Sequence, residues 1–236
     1  MTRPNIVFAS GQLLTEATWT PQAQSLAHEA ELIFADHGRD DTIAGMARTL
    51  LAQAPERFHL AAHAMGGFVA FEVMRTAPER VLSLALISTL APNDGPAQTE
   101  RRQGYIRLVE AGRFADVVEE RLPILLAPAS RRDPTLVAAV RGMAEATGAA
   151  RFLGQQRAIM SRVDSRPSLS AIRVPTLVIR GAHDGITTEA HQAEIAEAIA
   201  GARAVTIAEA GHMPTLETPA VVTDLLRGWF GLDRGA

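Results

Sequence analysis

Short apolar runs alternate with longer amphipathic stretches along most of the chain. Because the short runs are nearly continuous in apolar character, they predict parallel strands that helices cover on both faces. The apolar runs occupy residues 5–10, 30–36, 58–63, 81–89, 175–181 and 202–211, and helical spacing is found at 41–54, 65–77, 188–200 and 219–230. This alternation predicts an α/β fold with a doubly wound, mostly parallel sheet of about six strands.

The alternation stops between residues 97 and 166, where only helical patterns are present. Asp133 followed by Pro134 is typical of the cap and first turn of a helix. The segment follows the fourth predicted strand, at the edge where open α/β sheets bind ligands. We therefore expect a helical cap, or lid, over 97–166, inserted before the fifth strand, with 1–96 and 167–236 forming the core. Covering helices without a binding role are the alternative.

Composition and charge exclude several classes of function. The 236 residues include no cysteine, which excludes disulfides, thiolate metal sites and cysteine catalysis. The net charge of −3 gives no reason to expect a nucleic-acid partner, and no apolar stretch is long enough to predict a membrane span. The opening "MTRPNIVFAS" enters a predicted strand directly, which leaves no room for a signal peptide. We expect a cytoplasmic monomer or homodimer that acts on a small molecule.

The stretch "FHLAAHAMGGFVA", residues 58–70, leads from a predicted strand through small residues into a predicted helix. Ala62, Gly66 and Gly67 suit a sharp turn, because larger side chains would strike the neighbouring backbone. The helix begins at Met65, so its free N–H groups point toward position 64 and can bind developing negative charge. Such turns usually present a serine, and this chain has Ala64. A tight strand-to-helix connection without a chemical role is the alternative.

Three further loops follow predicted strands. Asp184 lies in "IRGAHDGITTE", where a carboxylate can orient an imidazole, although an Asp there more often caps a turn. His212 lies in "AGHMPTLETP" after the last strand and could act as a general base, although a lone histidine is more often structural. After the first strand, Gly11 lets the backbone approach closely and leaves the N–H of Gln12 as a donor to an oxyanion.

The order of these segments resembles that of the α/β-hydrolase fold family, in which the nucleophile comes first along the chain, the acid second and the histidine third. The resemblance covers about residues 4–230 and is greatest with small esterase-like hydrolases that carry a four-helix lid, a group that includes carboxylesterases and C–C bond hydrolases. "AAHAMGG" matches the family's turn at every position except the nucleophile. The resemblance implies that Ala64 occupies the nucleophile position, Asp184 is the acid, His212 is the base, and the N–H groups of Gln12 and Met65 form the oxyanion hole.

The chain departs from the family pattern at three positions. Ser10 precedes Gly11 where the family often has histidine, Ala62 replaces the first glycine of the turn, and Ala64 has no oxygen. We interpret Ala64 as a deliberate replacement of the native serine in a serine-type hydrolase of small esters or of C–C bonds next to a carbonyl, and we expect the chain with alanine to be catalytically inactive. A natural non-hydrolytic ligand-binding protein and a cofactor-free lyase or oxygenase that uses His212 are the alternatives.

Candidate substrate contacts are apolar residues that could line a pocket or pack within the lid: Leu13, Leu125, Phe152 and Met160. Lid arginines could select an anionic substrate or lie on solvated helix faces; they include Arg101, Arg102, Arg107, Arg113, Arg121, Arg157 and Arg162. We expect His63 to pack beneath the turn without a catalytic role. His183 and Asp184 with His212 lack a clear third ligand type and an i,i+4 histidine pair, so we expect neither a metal nor a cofactor.

Overall fold

The computed structural model describes residues 3–232. Its strands are β1 (Asn5–Ala9), β2 (Glu31–Phe34), β3 (Phe58–His63), β4 (Val81–Ile87), β5 (Thr176–Gly181) and β6 (Arg203–Ile207). Within the described range these strands form one sheet in the order β2-β1-β3-β4-β5-β6, and every neighbouring pair is parallel. The predicted doubly wound parallel sheet is confirmed, and the strand order reverses direction at β1 and β3.

Helices cover both faces of this sheet. They are α1 (Thr20–Leu26), α2 (Ile43–Gln53), α3 (Met65–Thr76), α4 (Pro96–Glu110), α5 (Phe114–Leu125), α6 (Pro134–Met160), α7 (Arg166–Leu169), α8 (Glu189–Ala198), α9 (Pro214–Glu217) and α10 (Pro219–Trp229). Short 3-10 helices lie at Glu16–Trp19, Pro78–Arg80 and Ser130–Arg132.

Alternate side chains of the strands enter two separate apolar layers. In β1, Val7 and Ala9 belong to the layer that contains side chains of α2 and α3, whereas Ile6 and Phe8 belong to the layer that contains side chains of α1 and α10. All four side chains are at most 1% exposed. A strand that is buried on both faces is apolar at successive positions, which is why these runs lack polar alternation.

Helix α1 is absent from the sequence prediction. Its buried residues are Leu26 and the polar Gln22, so no apolar stripe marks it. The Gln22 side-chain amide donates hydrogen bonds to the carbonyl oxygens of Thr215 and Pro219. A buried amide therefore attaches α1 to the C-terminal helices, and this contact has no signature in the local sequence.

Helices α4 to α7 occupy the stretch between β4 and β5, where the sequence predicted only helices. Asp133 caps α6 by accepting hydrogen bonds from the N–H groups of Thr135 and Leu136, as the Asp-Pro pair predicted. At Gly148 the backbone leaves helical geometry with a φ of 73°, which divides α6 in two. The helical character of the segment is thus present, while its action as a separate cap over 97–166 stays a prediction.

Candidate active site

The chain turns sharply from β3 into α3 at Ala64. This residue has a φ of 52° and a ψ of −113°, a strained region that costs a non-glycine residue on the order of 1–3 kcal/mol. The Ala64 N–H donates to the carbonyl oxygen of Ile87 at 2.9 Å, and the Thr89 hydroxyl donates to the Ala64 carbonyl oxygen at 2.8 Å. Neighbouring strand ends therefore hold the strained backbone in place on both sides of the residue.

Gly66 is required by the close approach of α3 to β1. A Cβ atom at this position would lie 2.2 Å from the carbonyl oxygen of Ala9, a backbone atom that cannot rotate away. We expect Gly66→Ala to lower the free energy of unfolding by about 3 kcal/mol, measured by urea denaturation. The matched control is Gly142→Ala within α6, where the added methyl group meets no atom within 4 Å and should stabilise the helix by about 0.5–1 kcal/mol. Equal stabilities for the two variants would contradict the close approach.

The loop after β1 lies beside Ala64. A Cβ atom at Gly11 would lie only 2.9 Å from the Cβ atom of Ala64, so a side chain at position 11 would collide with the turn. Gln12 and Met65 line the same cavity as Ala64. Met65 is the first residue of α3, a position whose N–H has no acceptor within its own helix. The structure thus brings the two predicted oxyanion donors to the neighbourhood of position 64.

Ser10 supports this loop at the position where the family often has histidine. Its hydroxyl donates to the carbonyl oxygen of Thr15 at 3.2 Å and accepts from the indole N–H of Trp19 at 3.1 Å. Trp19 is fully buried in the core. The departure from the family pattern therefore leaves the loop attached to a rigid side chain.

Asp184 and His212 come together at the carboxyl edge of the sheet. The His212 Nδ1 atom lies 2.9 Å from each carboxylate oxygen of Asp184, and the side chains are 5% and 0% exposed, respectively. The carboxylate also accepts hydrogen bonds from the N–H groups of Ile186 and Thr187 and from the Thr187 hydroxyl. An Nδ1–H donated to Asp184 leaves the Nε2 atom of His212 as a proton acceptor.

The pKa of the Asp184 carboxyl is set by opposing effects. Burial on its own would raise this pKa, but the His212 imidazole and the hydrogen bonds from Thr187 outweigh burial and lower the pKa below its usual range. The carboxylate stays ionised at neutral pH, which is the state that stabilises a protonated imidazole.

Glu217 fixes the backbone around His212, and the sequence prediction missed it. One of its carboxylate oxygens accepts hydrogen bonds from the N–H groups of Gly211 and Met213, and the other accepts from the N–H of Ala127. The backbone N–H of His212 donates to the carbonyl oxygen of Leu125, the last residue of α5, at 2.9 Å. The only sequence signal for Glu217 is its place within "AGHMPTLETP", which matched the family as a block.

His63 also holds this loop. It is completely buried beside the turn, and its Nε2–H donates to the carbonyl oxygen of His212 at 2.7 Å. Burial, reinforced by the nearby His212, lowers the pKa of His63 from 6.5 to about 3. His63 is therefore neutral at physiological pH and positions the backbone of His212.

We expect His63 to make the fold sensitive to acid. Its pKa is lower in the folded state than in the unfolded chain, so between about pH 6.5 and 3 the unfolded chain binds the additional proton. The free energy of unfolding therefore falls with falling pH in this window, by about 1.4 kcal/mol per pH unit for this one group. His63→Gln keeps an amide donor and does not titrate, so its stability should fall less steeply. Urea unfolding across this pH range measures the two slopes, and parallel slopes would overturn the assignment.

A cavity of about 360 Å³ joins the residues described above. Its wall includes Ala64, Met65, Gln12 and His212, and α5 contributes Leu125, one of the candidate substrate contacts. The cavity therefore brings together position 64, both candidate oxyanion donors and the imidazole that Asp184 orients.

Three of the predicted substrate contacts are not on this wall. Leu13 and Phe152 are buried in an apolar cluster formed with side chains of α4, α5 and α6, and Met160, the last residue of α6, does not line the cavity. The apolar wall includes Leu14, Phe68, Leu90, Tyr105, Ile124, Leu125, Ile159 and Ile186. Helical spacing indicated which residues are buried, but it did not indicate which neighbour each helix face meets.

The described residues add two findings about other kinds of site. Over 3–232, no group of three or more histidine, aspartate or glutamate side chains is arranged to hold a metal ion. In the same part of the chain, no helix combines the length and the apolar character that crossing a bilayer requires.

Comparison with known proteins identifies the family. The alpha/beta hydrolase fold family matches residues 18–219. A relative from Azorhizobium caulinodans that is assigned as the carbamate hydrolase RutD is 32% identical and is aligned over 90% of this chain and 86% of its own. A pimeloyl-[acyl-carrier protein] methyl ester esterase from Aeromonas salmonicida is 24% identical and is aligned over 97% of this chain and 96% of its own.

Comparison with a solved structure gives the same family as comparison with these sequence relatives. A thermophilic esterase from Thermogutta terrifontis superposes with a TM-score of 0.89 at 26% identity, covering 97% of this chain and 90% of that one. Structural similarity and sequence similarity therefore both identify hydrolases as the relatives of this chain. The chain belongs to the alpha/beta hydrolase fold family and is an enzyme of the hydrolase class.

Proposed function

We propose that this chain is a serine-type hydrolase in which alanine replaces the serine of position 64, and that its substrates are small esters or compounds with a related carbonyl group. The observation that carries the proposal is the backbone of Ala64, with a φ of 52° at the start of a helix. A methyl group gains nothing from this strained conformation, whereas a hydroxyl at the same place would face the cavity that His212 lines.

With serine at position 64, the reaction is an acyl transfer in two halves. The His212 Nε2 atom accepts the hydroxyl proton while the serine oxygen bonds to the substrate carbonyl carbon. The N–H groups of Gln12 and Met65 stabilise the resulting oxyanion. The ester C–O bond then breaks, and His212 returns the proton to the departing alcohol. Water repeats the sequence on the acyl-enzyme and releases the acid.

Asp184 acts through His212 in this proposal. Its carboxylate holds the imidazole in the tautomer that carries a proton on Nδ1 and stabilises the imidazolium that forms when Nε2 accepts the serine proton. The 2.9 Å contacts between the two side chains support this role.

We further propose that the segment 97–166 acts as a cap over the cavity. Gln98 and Tyr105 of α4 and Ile124 of α5 lie on the cavity wall, which supports a role in shaping the substrate pocket. All the proposed site residues come from one chain, so a monomer is sufficient for the reaction.

A ligand-binding protein without hydrolytic activity is the second candidate, and the methyl group of Ala64 favours it. Hydrolysis of short-chain p-nitrophenyl esters by the Ala64→Ser protein tests between the two. Turnover by the alanine form that depends on His212 would favour the hypothesis of a cofactor-free lyase.

A further inference from the structure

The wall of the cavity beside position 64 carries a strong excess of positive charge. Four arginines contribute to it: Arg101 and Arg102 from α4, Arg121 from α5, and Arg162, which follows α6. Among the described residues that line the cavity, none is an aspartate or a glutamate. Arg101 is exposed, whereas Arg102 and Arg121 are partly buried and Arg162 is buried, so a solvated helix face does not explain these last three.

Two of the four arginines have a structural partner. The carboxylate of Asp94 accepts from Arg102 with one oxygen and from Arg162 with the other. Arg162 also donates to the carbonyl oxygens of Ile159 and Pro92. These two guanidinium groups therefore fix the start of α4 to the end of α6, and they share a single negative charge.

The other two arginines have no such partner. Neither Arg101 nor Arg121 forms an ion pair with any residue in the described range 3–232. The Nε atom of Arg121 is buried without a hydrogen-bond partner, and its guanidinium lies 5.7 Å from the centre of the Tyr105 ring. The neighbouring Glu120 accepts the Tyr105 hydroxyl at 3.1 Å instead.

An unpaired guanidinium in this position destabilises the folded protein unless a bound ligand supplies the missing hydrogen-bond acceptor. Burial lowers the pKa of Arg121 to about 10, so the group is still charged at neutral pH. A buried Nε–H without an acceptor is destabilising, and a carboxylate matches the planar fork of guanidinium donors. The cavity thus has cationic donors on the same wall as Ala64 and His212.

We propose that Arg121, assisted by Arg101, binds a carboxylate carried by the substrate, so that the preferred substrate is a mono-ester of a dicarboxylic acid rather than a neutral ester. The inference rests on the proposed function, because it takes position 64 as the reaction centre. The reactive ester group lies at Ala64, and the free carboxylate lies at the arginines of α4 and α5.

Binding to the alanine form tests the inference without turnover. Isothermal titration with monomethyl esters of dicarboxylic acids, from succinate to suberate, is compared with the corresponding dimethyl esters. We expect at least one monomethyl ester to bind about 30-fold more tightly than its dimethyl ester, as for a hydrogen-bonded charge pair. Equal affinities throughout the series would overturn the inference.

Three variants assign the preference to the cavity. Arg121→Gln should abolish the preference for the monomethyl ester, and Arg121→Lys should retain part of it. Arg107→Gln is the matched control, since Arg107 lies on α4 but is exposed and paired with Glu100. The ratio of two affinities measured on one protein does not depend on the fraction that is folded. A preference that survives in Arg121→Gln, or that is lost in Arg107→Gln, would count against the assignment.

The two proposals fail separately. Hydrolysis of neutral esters by the Ala64→Ser protein, together with equal binding of mono- and diesters, retains the hydrolase and removes the carboxylate site. A charge preference in the alanine form, together with an inactive Ala64→Ser protein, retains the carboxylate site and removes the hydrolase.

Discussion

Replacement of Ala64 by serine is expected to raise ester hydrolysis by about 10⁴-fold or more over the alanine form, because loss of the nucleophile from a complete triad costs on the order of 10⁶-fold in a comparable enzyme. The other members of the proposed triad are already arranged for the reaction. His212 lines the cavity at position 64, and Asp184 orients its imidazole. The backbone of Ala64 already has the strained geometry, with a φ of 52°. Only one oxygen atom is added.

Initial rates with p-nitrophenyl esters of several acyl lengths, and with the methyl esters named above, measure this gain. Ala64→Gly is the matched control, because glycine relieves the backbone strain but supplies no oxygen, and it should stay as inactive as the alanine form. Phenylmethylsulfonyl fluoride should label the serine form alone, which is read out by a mass increase. An Ala64→Ser protein that is folded, unlabelled and inactive in every ester class would remove the hydrolase from consideration.

The second large effect is expected from Asp184→Asn in the Ala64→Ser protein. The amide would present N–H groups to the Nδ1 atom of His212, which favours the tautomer with the proton on Nε2, and Nε2 then cannot accept the serine proton. A fall of about 10⁴-fold in kcat is expected at neutral pH, as for the equivalent change in a well-studied triad.

Control measurements separate this effect from a loss of folding. Asp224→Asn changes an exposed carboxylate on α10, whose side chain is 76% exposed, and should leave kcat unchanged. Thermal unfolding of both variants reports on the folded fraction. A folded Asp184→Asn protein that retains most of its kcat would show that the aspartate does not act through the imidazole.

Much of the sheet could be predicted from the sequence because its strands are buried on both faces. The bounds of β3, Phe58–His63, coincide with the predicted run, since every position in it is apolar or fits a buried site. Helix α1 was missed because Gln22, an amide, takes the place of an apolar anchor. Periodicity detects apolar stripes and does not detect buried hydrogen bonds.

The candidate site was predictable for a different reason. The residues that carry chemistry follow strand ends, and parallel strands bring their carboxyl ends to one edge of the sheet. This places Asp184 beside His212 although 28 residues separate them. The residues that support the site, His63 and Glu217, act through backbone atoms of distant segments. No local spacing specifies such contacts.

The pocket wall was the least predictable part. Phe152 and Leu13 have the apolar character of pocket residues, yet they are buried among side chains of α4, α5 and α6. Arg121 has the character of a surface residue, yet it lines the cavity. The way in which three helices pack on one another decides these outcomes, and their relative orientation is not encoded in any single helical pattern.

The hydrogen bonds around His212 also connect the histidine loop to the end of α5. The carbonyl oxygen of Leu125 accepts the His212 N–H, and Glu217 accepts the N–H of Ala127, so the chain at the end of α5 is tied to the histidine loop from two sides. If residues 125–127 swung outward, they would pull the imidazole away from Asp184. The end of α5 and the histidine loop are therefore joined, and a displacement of one would disturb the imidazole position in the other.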